Sequence, residues 1–129
     1  MEILPIEREL MDALLVGDDP VLDALRSQFS IASVTKRDYT GSGFFTYFSV
    51  IPDAPRVSPA SLMLGDVIFG LRSHGTGGEA ILWVKDGALH SLEAFAADGA
   101  WPQDAQLDRV RYWSGEVRDL DWLRGSWGG

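Results

Sequence analysis

The run Ala80-Ile81-Leu82-Trp83-Val84, then Lys85-Asp86-Gly87-Ala88, then Leu89-His90-Ser91-Leu92-Glu93-Ala94-Phe95 decides how this chain folds. Asp-Gly between two apolar runs signals a hairpin: a type I′ turn needs positive φ at both central residues, which Asp tolerates and Gly adopts freely. Counting outward from that turn pairs Val84 with Leu89, Trp83 with His90, Leu82 with Ser91, Ile81 with Leu92 and Ala80 with Glu93. In this register Leu82, Val84, Leu89 and Glu93 share one face, and Ile81, Trp83, His90 and Leu92 share the other. Neither face is wholly polar, so the ribbon is expected at the centre of a sheet, covered on both sides for part of its length.

Working outward, Ile6, Leu10, Ala13 and Leu14 fall at helical spacing, and Gly17 is placed to end a first helix of about Ile6 to Val16. Asp19-Pro20 restarts the pattern, Asp19 as N-cap and Pro20 at the first helical position, for a second helix from Pro20 to about Phe29. From Ile31 the period changes. The β-branched run Ile31 to Tyr39 and the aromatic run Phe44 to Ile51 flank Thr40-Gly41-Ser42-Gly43 and read as an antiparallel pair. Pro52, Pro55 and Pro59 mark a long loop, Asp66 to Arg72 another strand, and Leu107 to Trp113 a last one. The Gly-rich end, residues 124–129, is expected to fray. The sum is one α+β domain over residues 1–129, two N-terminal helices packed on a mainly antiparallel sheet of five or six strands.

Composition narrows the function. With no Cys, disulfides and thiolate chemistry are excluded, and no apolar run approaches the roughly 20 residues of a membrane span. The acidic start lacks the basic n-region of a signal peptide, so a cytoplasmic location is expected. A net charge of −8, from 11 basic and 19 acidic residues, argues against nucleic acid as a partner. Residues 1–29 hold seven acids against two arginines, −5 of that total, and Asp12, Asp18, Asp19 and Asp23 are candidates for a face that attracts a basic protein. The alternative for these acids is a solvated helix surface.

The segments Thr40-Gly41-Ser42-Gly43-Phe44-Phe45-Thr46, Lys85-Asp86-Gly87, Leu92-Glu93 and Trp101-Pro102 together resemble a family of small uncharacterised bacterial proteins with a Thr-Gly-x-Gly-Phe-Phe-Thr block, an Asp-Gly turn and a Leu-Glu block followed by Trp-Pro. The resemblance spans Thr40 to Pro102, about half the chain. Ala94 stands where that family has Gly, and Ala96-Ala97 replace a more aromatic stretch. What the resemblance implies is a small cytosolic α+β protein with an immunity-like role; it implies no catalytic residue.

Individual residues suggest little chemistry. His74 and His90 with Glu79 and Glu93 lack any metal-ligand spacing, so no metal and no cofactor is expected. Gly75-Thr76-Gly77-Gly78 lacks the Lys-Ser/Thr ending of a phosphate loop, and Gly-x-Ser-x-Gly is absent. Glu93, an acid on an otherwise apolar face, either pairs with Arg37, Arg72, Arg109 or Arg111, or serves a pocket lined by Trp83, Phe95 and Trp101. Trp83 and Trp113 read as core, whereas Trp101, Trp122 and Trp127 lie in turns or the tail, where exposed Trp marks a contact surface. Two functions follow: a protein-binding module engaging a basic partner through its acidic face and loop aromatics, with His74, Glu93 and Trp101 as further contact candidates; or a small enzyme or ligand-binding domain with Glu93 and a histidine in an aromatic pocket.

Overall fold

In the computed structural model, which describes residues 1–72 and 74–127, the central hairpin forms as the turn chemistry dictates. Strands β4 (Gly77–Lys85) and β5 (Ala88–Ala96) pair antiparallel across Asp86 at φ 53° and Gly87 at φ 74°. Strands β1 (Ser33–Tyr39), β2 (Gly43–Ser49), β3 (Leu62–Leu71) and β6 (Leu107–Tyr112) complete one six-stranded sheet in the order β1-β2-β5-β4-β3-β6, antiparallel throughout. The hairpin is therefore central. Two N-terminal helices, α1 (Pro5–Leu14) and α2 (Pro20–Ile31), precede it, which makes the domain α+β. No helix is long and apolar enough to cross a membrane, among the described residues.

The register departs from simple counting at one place. Val84 pairs with Leu89, but Trp83 pairs with Ser91, Leu82 with Leu92 and Ile81 with Glu93, because one extra residue, His90, is accommodated as a bulge. Every side chain of β5 beyond it is shifted by one, and a shift of one moves a side chain to the other face. Leu92 thus joins the core, and Glu93 leaves it.

The core lies on one face only. Leu82, Val84, Leu89, Leu92, Phe44, Leu64, Val67 and Phe69 point toward Leu10, Met11 and Leu14 of α1 and Leu22 and Leu25 of α2, and all of these are buried. Each such side chain contributes roughly 1.5–3 kcal/mol by leaving water. Coverage of the ribbon on both sides, expected from its sequence, is not found: Phe45, Tyr47, Ile81, Trp83 and Phe95 on the opposite face are only half-buried. Half-exposed aromatics on an open sheet look, in sequence, like buried ones.

Close approach explains the Gly in the β1–β2 connection: a Cβ on Gly43 would lie 1.8 Å from the Ala94 carbonyl oxygen. At the other end of the hairpin, the buried Gln28 of α2 ties the turn down. Its Nε2 donates to the carbonyls of Pro55 (2.7 Å) and Gly87 (3.0 Å), while its Oε1 accepts from the Leu89 N–H (2.9 Å), which lies beyond the last β2–β5 pair.

Asp119 caps a short helix, α3 (Leu120–Gly125), whose Leu123 is fully buried and whose Arg124 pairs with Asp19 at 2.7 Å. Residues 128 and 129 of the expected frayed segment lie outside the described residues. Just before α3, buried Arg118 grips both oxygens of buried Asp66 (2.9 and 2.7 Å) and donates to the carbonyls of Leu14 and Val16 at the end of α1.

Replacing Gln28 by Ala strands the Leu89 N–H and the Pro55 carbonyl, while the Gly87 carbonyl keeps the Val57 N–H, and should cost about 3 kcal/mol in denaturant unfolding. Ser30→Ala, at an exposed site on the same helix, should change stability by under about 0.5 kcal/mol.

Candidate functional site

The bulge decides the fate of Glu93. It stands half-buried on the open face with Phe45 and Ile81 as cross-strand neighbours, and its Oε1 accepts a hydrogen bond from Trp83 Nε1 at 3.1 Å. The ion pair with Arg37, Arg72, Arg109 or Arg111 is absent; Arg37 and Arg109 are engaged by Glu7 and Glu116 instead. His90 lies edge-on to Tyr47, ring centroids 5.7 Å apart, and not opposite Trp83. Burial, then the nearby Lys85, holds its pKa below the ordinary histidine value, so it is a neutral ring at pH 7. His74 is exposed in the β3–β4 connection, with Nε2 3.7 Å from Asp104. Neither histidine is hydrogen-bonded to Glu93, and no metal-ligating cluster of three His, Cys, Asp or Glu occurs among the described residues.

The expected pocket of Trp83, Phe95 and Trp101 does not form, because the sheet separates them. Trp101 packs on the helix-bearing side, edge-on to Phe44 (5.4 Å) and Phe69 (6.0 Å). There it lines an apolar groove of about 500 Å³ with Leu4, Ile6, Tyr39, Phe44 and Pro102. Gly41, Gly43 and Phe44 of the Thr40–Thr46 block therefore meet Trp101-Pro102 here, while Lys85-Asp86-Gly87 and Leu92-Glu93 lie elsewhere.

Of the side chains lining this groove only Glu7 and Tyr39 titrate, and Glu7 is fully engaged. Its buried carboxylate accepts from Arg37 Nε (2.6 Å) and Nη2 (2.8 Å), from the Leu4 N–H (2.7 Å) and from Thr46 Oγ1. Burial pushes the Glu7 carboxyl up, but the hydrogen bonds from Arg37, Leu4 and Thr46 together outweigh it and leave the group below its usual value. Such a carboxylate holds α1 to the sheet; it has no free lone pair for catalysis.

The acidic N-terminal residues are divided. Asp12, Asp18 and Asp23 are exposed, with Asp23 paired to Arg26, whereas Asp19 is buried. The Asp19 carboxylate caps α2 through the N–H groups of Val21 and Leu22 and pairs with Arg124, so its role is structural.

What sequence reading missed lies beside Asp18. Of the ten large hydrophobic residues that are most exposed, four meet at one end of the molecule: Val16 (49% exposed), Trp113 (56%), Val117 (81%) and Trp122 (48%). Arg118 brings them together by joining Val16 to the β6–α3 turn, and the indoles of Trp113 and Trp122 pack edge to face, 5.4 Å apart. Trp113, read as core, sits one residue past β6 and stays more than half exposed, with Trp122 of α3 against its indole. The same segments carry the exposed acids Asp18, Glu116, Asp119 and Asp121, of which Asp119 lines a depression with both tryptophans. Counting the buried Asp19 and Asp66 as well, six carboxylates stand against Arg109, Arg118 and Arg124. The signal was in the tail: Asp119 followed by Leu120 and Leu123 has N-cap and helical spacing.

No protein-family model, curated protein or solved structure matches the chain.

Because Glu7 titrates lower folded than unfolded, its stabilisation is complete above the unfolded value of about 4.3 and is lost as pH falls through the folded one. Glu7→Gln should cost on the order of 3 kcal/mol at pH 7. It should also flatten the loss of stability on acidification, measured by urea midpoints at neutral and acid pH; curves that stay parallel would assign the acid sensitivity elsewhere.

Proposed function

We propose that this protein is a binding module that occupies a basic protein partner through the acidic, tryptophan-bearing end formed by the α1–α2 link, the β6–α3 turn and α3. The observation that carries this reading is the packed, exposed pair Trp113 and Trp122, with exposed Val16 and Val117 and exposed carboxylates on the segments that Arg118 joins. A solvated acidic surface has no need of large apolar side chains, and a folding core would bury them. Aromatic anchors inside a charged rim are the anatomy of a protein contact surface, the rim steering association and the anchors supplying affinity.

The acidic face differs from the one the sequence suggests. Asp18 remains part of it and Asp12 lies one turn earlier on α1, but Asp19 is structural, and Glu116, Asp119 and Asp121 from the far end of the chain take its place. The alternative, a small enzyme or ligand-binding domain, places Glu93 beside a histidine in an aromatic pocket, whereas Glu93 is hydrogen-bonded to Trp83. An immunity-like role accords with occupation of a basic partner, and rests on the family resemblance.

Affinity capture from the source cell's lysate should recover a protein of basic isoelectric point that elutes as salt rises, because exposed charges more than a Debye length apart, about 8 Å at physiological ionic strength, are screened. The triple variant Asp18→Asn, Glu116→Gln, Asp121→Asn should lose most of that protein. Capture undiminished in the variant would remove the acidic end from the account.

A further inference from the structure

The geometry points to a clamp for one arginine side chain of the partner, seated in the depression beside the packed Trp113–Trp122 pair and against Asp119; this deepens the binding reading above and rests on it. The two indoles are inclined at 60°, forming a wedge over a depression of about 250 Å³ that Asp66, Ser114 and Asp119 also line. That volume falls below the roughly 300–1,000 Å³ of small-molecule sites and suits the end of a single side chain.

The two carboxylates differ. Asp66 is neutralised by the bidentate grip of Arg118. Asp119 forms no ion pair among the described residues: its Oδ1 accepts from the Trp122 N–H at 3.0 Å, and its second oxygen has no hydrogen-bond partner among them. The depression therefore offers two indole surfaces and one carboxylate oxygen that has no donor among the described residues.

Those features select the occupant. A cation over an indole face is attracted by the ring quadrupole. A guanidinium is planar and weakly hydrated, so it stacks on one ring while its N–H groups reach the carboxylate. An ammonium is a more strongly hydrated point charge and gains less from the same stack. An apolar side chain would strip water from Asp119 with nothing to replace it, and an anion would be repelled. The surrounding excess of acid favours approach of a basic segment over an isolated neutral one.

The test uses the full chain and the peptide acetyl-Gly-Arg-Gly-Arg-Gly-amide, with a counterpart in which neutral citrulline replaces arginine, followed by the side-chain indole N–H resonances. Expected are saturable shifts of Trp113 and Trp122 with the arginine peptide, an unmoved Trp83 on the open sheet face, and binding about tenfold weaker with citrulline. Asp119→Asn keeps the helix cap, since Asn caps as well as Asp, and should weaken binding several-fold. Trp122→Ala should abolish the Trp113 shift while Trp83 and Trp101 keep their wild-type resonances, reporting an intact fold. Unmoved Trp113 and Trp122, or equal response to the two peptides, would overturn the clamp. If Trp122→Ala retained the captured basic protein while neutralising Asp18, Glu116 and Asp121 released it, the clamp would fall and the acidic end would stand.

Discussion

Arg118 carries a buried guanidinium to the place where two separate parts of the chain need a donor. Asp66 on β3 supplies the counter-charge, and the last carbonyls of α1, left without partners by the end of the helix, accept its remaining N–H groups. At the opposite end of α1, Glu7 binds Arg37 of β1 and Thr46 of β2. One ten-residue helix is thus held at both ends by buried charge, negative near its positive pole and positive near its negative pole. Hydrophobic burial supplies the bulk of the stabilisation, but it is non-directional. The two ion pairs set where along the sheet the helix lies, and removing either partner would leave an uncompensated charge in the core.

That constraint also builds the candidate site. Because Arg118 is drawn inward, the residues on either side of it, Trp113 to Val117 and Asp119 to Trp122, are folded against the α1–α2 link, and Arg124 fastens the far end to Asp19. The exposed tryptophans, Val16 and Asp18 are neighbours for this reason alone. The second aromatic surface, the open sheet face around Trp83 and Glu93, is polar-apolar in alternation, and its carboxylate already has the indole N–H as partner.

Local chemistry was legible in the sequence and long-range chemistry was not. Asp86-Gly87, Asp19-Pro20 and the aromatic run before Pro52 each act over a few residues, and the hairpin, the α2 cap and β2 follow from them. The bulge at His90 depends on where β2 ends and on Gln28, 61 residues from the Leu89 N–H it satisfies, so counting from the turn placed Glu93 on the wrong face. The Arg118–Asp66 pair joins positions 52 apart, and no pattern in either neighbourhood announces it. The short α3, ending at Gly125, escaped a reading that weighed the Gly-rich composition of the tail and not the burial of Leu123. The acidic residues were visible; which of them the fold would use internally was not.

The central claim is that the tryptophan-bearing acidic end, and not the open sheet, meets the partner. Hydroxyl-radical footprinting of the chain alone and with its captured basic protein reads side-chain cover directly. Trp113 and Trp122 should lose most of their oxidation in the complex while Met63 and Trp83 keep theirs. Protection of Met63 and Trp83 with Trp113 and Trp122 unchanged would contradict it.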